Sequence, residues 1–308
     1  MKCCAFIHTN DKQKLGAELS AYMMRRQSKS PDSFTVQLIE HRDHPFLAAH
    51  EGQSYLRNGQ QQPWLNDDLQ SFTPLRFLPP ELMGFEGRAL VTDPDVLAIA
   101  DVAELFGRDM GGKAILCRTH HGVKAMVRGR YASSVMLLDC GRLRHWRPEQ
   151  QFDELFTGKR DYRRWLGLED EPQGTVGELE PEWNDFDRLT AGTKMLHMTR
   201  RATQPWKTGL PVDFLPVEQF PAFPPFGWAM RARRKLFGAH AFLGRYRKHP
   251  DPRQESLFFA LLRECLERRV VTEPQLREEM ARDHLRHDAL DLAARAPSVD
   301  DVLRSLPA

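Results

Sequence analysis

Arg88-Ala89-Leu90-Val91-Thr92-Asp93-Pro94-Asp95-Val96-Leu97-Ala98-Ile99 is the stretch on which the reading of this chain turns. Ala89 to Thr92 is a continuous apolar run of the kind that forms a central strand covered on both faces. Two carboxylates follow, one residue apart, at the carboxyl end of that strand, where open α/β sheets place their ligands. Asp-X-Asp there can offer two hard oxygen ligands to one divalent cation such as Mg²⁺ or Mn²⁺. Pro94 stiffens the turn, so less entropy is lost on holding both acids in place. Alone, these residues also describe a solvated turn with a helix-capping Asp, and the rest of the chain has to decide.

Working outward, Cys3 to Ile7 reads as a first strand. Thr9-Asn10-Asp11 is a loop and helix-capping signal. Leu15, Leu19, Tyr22 and Met23 then fall at helical spacing, and Phe34 to Ile39 alternates as a second strand. This β-α-β opening predicts a parallel, nucleotide-binding type of sheet. Thr9 and Asp11 sit at the carboxyl end of its first strand, and Asp11 can cap the helix and face a ligand at once. His41 to Leu69 shows no clear periodicity and reads as an irregular binding loop. Lys113–Cys117, Val123–Val127 and Ser133–Asp139 read as further strands, with a turn at Arg118–Gly122. Phe152 to Leu168 reads as one or two amphipathic helices, and Glu178–Asp187 as an acidic loop.

Thr193 to His197 is expected to be the last strand of the sheet. A histidine at a strand end, followed by Arg200, Arg201 and Lys207 around Pro205-Trp206, suits a diphosphate clamped against a metal. Each of these residues alone is more often structural; the set is less easily dismissed. Beyond Gly209 the prolines at 211, 216, 221, 224 and 225 mark an extended linker. A basic helical segment from Trp228 to Lys248 comes next, then a buried helix face over Ser256–Arg269 and a charged helix over Glu273–Ala294. The organisation expected is a domain over residues 1–215 and a Pro-rich linker with a helical region over 216–308.

Composition bounds the function. The chain has 308 residues, 41% hydrophobic and 28% charged, with a net charge of +2. That is an ordinary globular composition, and the charge is too small to argue for nucleic acid as a partner. Five cysteines without paired spacing read as free thiols of a reducing compartment. The start is too soon polar for a signal peptide, and no run approaches a membrane span. The expected location is cytoplasmic. Aromatic and basic residues from Trp228 to Lys248 leave room for a peripheral contact with an anionic membrane face, or for a helix packed on the core.

Four blocks together resemble the retaining glycosyltransferases of family 8 and their bacterial relatives, over about Cys3 to Asp213. Phe6-Ile7-His8-Thr9-Asn10-Asp11 is similar to the family's first strand and uridine-contacting loop. Phe72 to Leu82 is similar to its Arg-containing segment before the metal site, Gly87 to Leu97 to its DXD strand, and Met195 to Thr199 with Gln204-Pro205-Trp206-Lys207 to its late metal-ligand histidine and phosphate-binding turn. The resemblance implies an α/β, GT-A type, nucleotide-sugar-binding mixed sheet flanked by helices, with a C-terminal helical appendage. It implies hexose transfer from a UDP-sugar, UDP-glucose or UDP-galactose, with retention, to an acceptor the residues do not name.

Mn²⁺, or Mg²⁺, is then expected on Asp93, Asp95 and His197. Donor contacts are expected from Thr9, Asp11, Arg76, Asp93, Arg200, Arg201 and Lys207. Asp161 and Ser133 are the candidates beside the reacting sugar, with Lys207 stabilising the leaving charge. The family opens the strand at Ala132-Ser133-Ser134 with an asparagine, which leaves open an inactive nucleotide-sugar-binding or scaffolding protein of the same fold.

Overall fold

The computed structural model describes residues 1–120, 131–214, 236 and 244–308. Its centre is a six-stranded mixed sheet flanked by helices, in the order β2-β1-β5-β8-β7-β9. These strands are β1 (Cys3–Thr9), β2 (Thr35–Glu40), β5 (Arg88–Thr92), β7 (Ile115–Thr119), β8 (Tyr131–Asp139) and β9 (Val176–Glu178). β1 pairs in parallel with both β2 and β5, as the opening pattern predicts, and β8 runs antiparallel to β5 and β7.

The apolar runs are continuous because both faces are covered. Ala5, Ile7, Leu90, Val135 and Leu137 face one core, and Cys4, Phe6, Val91, Met136 and Leu138 face the other. Helix α1 (Lys14–Arg26) lies in the first core with the C-terminal helix Pro252–Glu267, whose Leu257, Phe258, Leu261 and Leu262 are fully buried. Each such side chain contributes about 1.5–3 kcal/mol by leaving water. All five cysteines are free thiols. Among the described residues no helix is long and apolar enough to cross a membrane.

Three expectations are corrected. Residues 41–69 are not irregular: Ser54–Arg57 (β3) and Gln60–Pro63 (β4) form an antiparallel hairpin. Its turn is Asn58-Gly59, both with positive φ (52° and 72°), the backbone a two-residue hairpin turn needs. The polar Gln60-Gln61-Gln62 run hid the strand, although Asn-Gly is its sequence signal. Gly59→Ala is expected to cost about 1–2 kcal/mol, read by urea unfolding, because a Cβ there is strained.

The second correction concerns Met195–His197 (β11), which is not in the main sheet. It pairs antiparallel with β6 (Val96–Ala98) and parallel with β10 (Asp185–Phe186), the latter inside the stretch expected to be an acidic loop. Third, the charged helix expected over 273–294 is two, Glu273–Ala281 and Ala289–Arg295, interrupted at Asp283 with φ 57°. The expected strand 123–127, the prolines from 216 to 225 and, of the basic segment Trp228–Lys248, all but residues 236 and 244–248 lie outside the described residues.

Candidate active site

β5 delivers Asp93 and Asp95 to its carboxyl end, and the chain then reverses into β6. α1 braces that turn. Ser20 Oγ donates to Val96 O at 2.6 Å, and a Cβ on Gly16 would come within 2.9 Å of Pro94 O. Because β6 pairs with β11, and the register sets His197 opposite Val96, the histidine arrives one residue from Asp95. Met198 N also donates to Asp95 O at 3.1 Å. Strand pairing, not loop chance, therefore carries residue 197 across about a hundred positions of sequence to the two acids.

His197 Nε2 stands 3.3 Å from Asp95 Oδ1 and 4.0 Å from Asp93 Oδ2. One ligand atom from each of Asp93, Asp95 and His197 lies within 4.8 Å of the others. Adjacent ligands of a Mg²⁺-sized cation, each about 2.1 Å from it, stand about 3 Å apart, so this spacing is close to what one ion needs. Two carboxylates and an imidazole suit Mn²⁺ or Mg²⁺.

The imidazole is aimed. Its Nδ1 lies 2.9 Å from the side-chain oxygen of buried Asn184, whose amide donates to Ser134 Oγ at 3.0 Å. That leaves Nε2 facing the acids, a second layer of the kind metal-ligating histidines use. Asn184→Ala is expected to weaken Mn²⁺ binding about 10- to 100-fold, measured by Mn²⁺ titration, with the fold intact by circular dichroism.

Asp93 is fixed from behind. Arg76 Nη2 donates to its Oδ1 at 2.8 Å, and His8 Nε2 lies 2.8 Å from the same oxygen. Burial would push the Asp93 carboxyl up, but the Arg76 guanidinium and His8 more than offset this and hold it well below the usual carboxylate range. Burial lowers the His8 pKa, with Asp93 opposing. For His197 burial would also lower it, but Asp95 and Asp93 outweigh burial and raise it. Gln204 Nε2 reaches Asp95 Oδ2 at 3.3 Å.

The three metal candidates thus come together, and Arg76, Ser133 and Arg201 join them. Arg76 Nη1 donates to Ser133 Oγ at 2.6 Å. Both residues line a cleft of about 320 Å³ with Arg57, Ala132, Asp93 and His197. Arg201 lines that cleft and a smaller adjoining hollow of about 170 Å³ that reaches Asp95, and its guanidinium donates to Gln70.

The other candidates lie elsewhere. Thr9 is fully buried, and its hydroxyl donates to Asn10 O. Asp11 borders a separate hollow with Lys12, Arg42 and Arg282. Arg200 is held by Asp187 through its backbone N–H at 3.1 Å. Lys207 is wholly buried, donating to Asp213 Oδ2 at 2.8 Å and Asp283 O at 3.0 Å. Asp161 caps the helix Tyr162–Leu166 and accepts from Gly59 N at 2.8 Å, which ties that helix to the β3–β4 turn.

His8, Asn184 and Arg57 were not picked out from sequence. His8 and Gln204 sit in quoted blocks without an assigned role and Asn184 sits in an acidic run; none of the three carries a local signal.

No family model matches the chain, and no curated protein matches it. Among solved structures the similar folds are glycosyltransferases. One is the galactosyltransferase LgtC in complex with donor and acceptor sugar analogs (14% identity, 66% of this chain and 89% of that one, TM-score 0.46). Others are the bifunctional glycosyltransferase WbbM (13%, 67% and 47%, TM-score 0.45) and GlyE of Streptococcus pneumoniae (13%, 68% and 58%, TM-score 0.44).

Proposed function

We propose that the chain is a metal-dependent glycosyltransferase of GT-A type that moves a hexose from a UDP-sugar, UDP-glucose or UDP-galactose, to an acceptor with retention. The observation that carries this reading is the convergence of Asp93, Asp95 and His197, two of which line a cleft with Arg57, Arg76 and Arg201 while Asp95 lines the adjoining hollow. Asp93, Asp95 and His197 hold Mn²⁺ or Mg²⁺. A divalent cation there offsets the negative charge that builds on a departing diphosphate, with no proton needed.

The chain's own residues supply the rest. Arg76 keeps Asp93 ionised and oriented, and Asn184 keeps His197 Nε2 turned toward the acids. Arg201, driven below its usual pKa chiefly by burial, brings a desolvated guanidinium to the same cleft, where fixed charge acts most strongly.

A second reading is a protein that binds the nucleotide sugar without turnover. It is favoured by Ala132 in the cleft wall and by Asp161, both of whose oxygens accept backbone N–H bonds. Among the described lining residues of the cleft and its hollow, Asp93 and Asp95 are the only carboxylates. Calorimetric titration with UDP tests the shared part of both readings. Tight binding with Mn²⁺ and little without it is expected; equal binding with and without the metal would remove the metal-dependent transferase, and no UDP binding in either condition would remove both readings. UDP release from a panel of UDP-sugars then separates the enzyme from the binding protein.

A further inference from the structure

A second cleft, of about 510 Å³, lies against the first. Its walls come from Arg200, Arg201, Ala202 and Thr203 on one side and Arg247, Lys248 and Pro250 on the other. Four cations and no carboxylate line it. The two walls are fixed to each other by backbone: Arg247 N donates to Ala202 O at 2.8 Å, and the same returning segment is stitched on by Tyr246 N to Leu210 O and Gly209 N to Tyr246 O, each at 2.9 Å.

Tyr246 anchors the segment. It is 2% exposed and its hydroxyl donates to Asp213, so this side chain faces the interior. Arg247 and Lys248, by contrast, are exposed, and among the described residues neither makes an ion pair. Arg200 meets Asp187, and Arg201 meets Gln70.

Holding like charges together costs free energy unless an anion joins them. Guanidinium forks with an ammonium beside them suit a phosphate, which presents several oxygens and more than one charge, better than a single carboxylate. The aliphatic stems of the arginines, with Ala202 and Pro250, leave the floor able to accept carbon beside the charge. Arg201 is the shared wall: it lines this cleft and the one holding Asp93 and His197. Arg247 and Lys248 line only this one among the described clefts.

We infer that this is a phosphate site beside the sugar-transfer cleft, and that the acceptor carries a phosphate or diphosphate group that docks on Arg247, Lys248 and Arg200. The word acceptor rests on the transferase reading; the anion site does not. The phosphate belongs either to a soluble phosphorylated acceptor or to a lipid headgroup presented at a bilayer.

The full chain is titrated at low ionic strength with glycerol 3-phosphate, and sedimented with phosphatidylcholine vesicles with and without phosphatidate. Wild type is compared with R247A/K248A and with Asp95→Ala. Binding of either phosphate probe is expected, at least about tenfold weaker in R247A/K248A and retained in Asp95→Ala. Response to glycerol 3-phosphate identifies a soluble source. Response to phosphatidate vesicles alone identifies a lipid source.

Unchanged melting of the double variant excludes misfolding as the cause. Failure of both probes to bind, or equal binding by R247A/K248A, overturns the site. Phosphate binding by a wild-type chain that itself fails to bind UDP with Mn²⁺ upholds the site and removes the transferase reading.

Discussion

Asp95→Ala is expected to lower Mn²⁺ affinity by at least about 100-fold and to abolish metal-dependent UDP binding. Outer-layer partners of a metal ligand are worth about 10- to 100-fold, and Asp95 is itself one of three ligands within 4.8 Å of one another. The effect on folding should be small or slightly favourable, since the variant removes one of two neighbouring carboxylates that repel each other when no cation is bound. Mn²⁺ titration followed by electron paramagnetic resonance, beside a urea unfolding curve, reads both quantities. Unchanged UDP binding in Asp95→Ala would remove the metal site from the account.

Lys207→Ala is expected to act on stability, with a loss of about 3–5 kcal/mol. The wild-type ammonium is fully buried and ion-paired with Asp213, which also accepts from the Tyr246 hydroxyl. Burial pulls the lysine pKa down, with Asp213 opposing. Removing the cation leaves Asp213 largely inside the protein with one neutral donor, and leaves Asp283 O without its partner. The same bonds tie the turn after Trp206 to the returning segment and to the C-terminal helices, so the loss is felt across three parts of the chain.

Urea unfolding measures this, and UDP titration of the folded variant supplies the contrast. If Lys207 instead serves the donor phosphates, as the family resemblance implies, UDP affinity falls and stability does not.

The fold was legible wherever a strand is covered on both faces, because burial writes itself as an apolar run. β1, β5 and β8 were read within a residue or two, and α1 followed from Leu15, Leu19 and Met23. β3–β4 was lost because its exposed glutamines carry no apolar alternation, leaving Asn58-Gly59 as its only mark. β11 was found and placed in the wrong sheet: three buried residues say that a strand exists, and nothing local says which edge it joins.

The site shows the same division. Asp93 and Asp95 announce themselves by spacing, and His197 by its position at a strand end. His8 and Asn184 act through partners 85 and 13 residues away, Asp93 and His197, and their own surroundings in sequence describe a core residue and a polar run. Lys207 shows the converse. A lysine after Pro-Trp beside two arginines reads as a phosphate ligand, yet its partner Asp213 is six residues on, and that pairing becomes visible only once the backbone between them turns.

The claim on which the account stands is that Asp93, Asp95 and His197 share one divalent cation. Crystals soaked in Mn²⁺ and measured at the manganese absorption edge test it most directly. The account predicts one anomalous peak bounded by a carboxylate oxygen of Asp93, a carboxylate oxygen of Asp95 and Nε2 of His197. A map with no peak between those three side chains, under conditions where UDP binding depends on Mn²⁺, would contradict it.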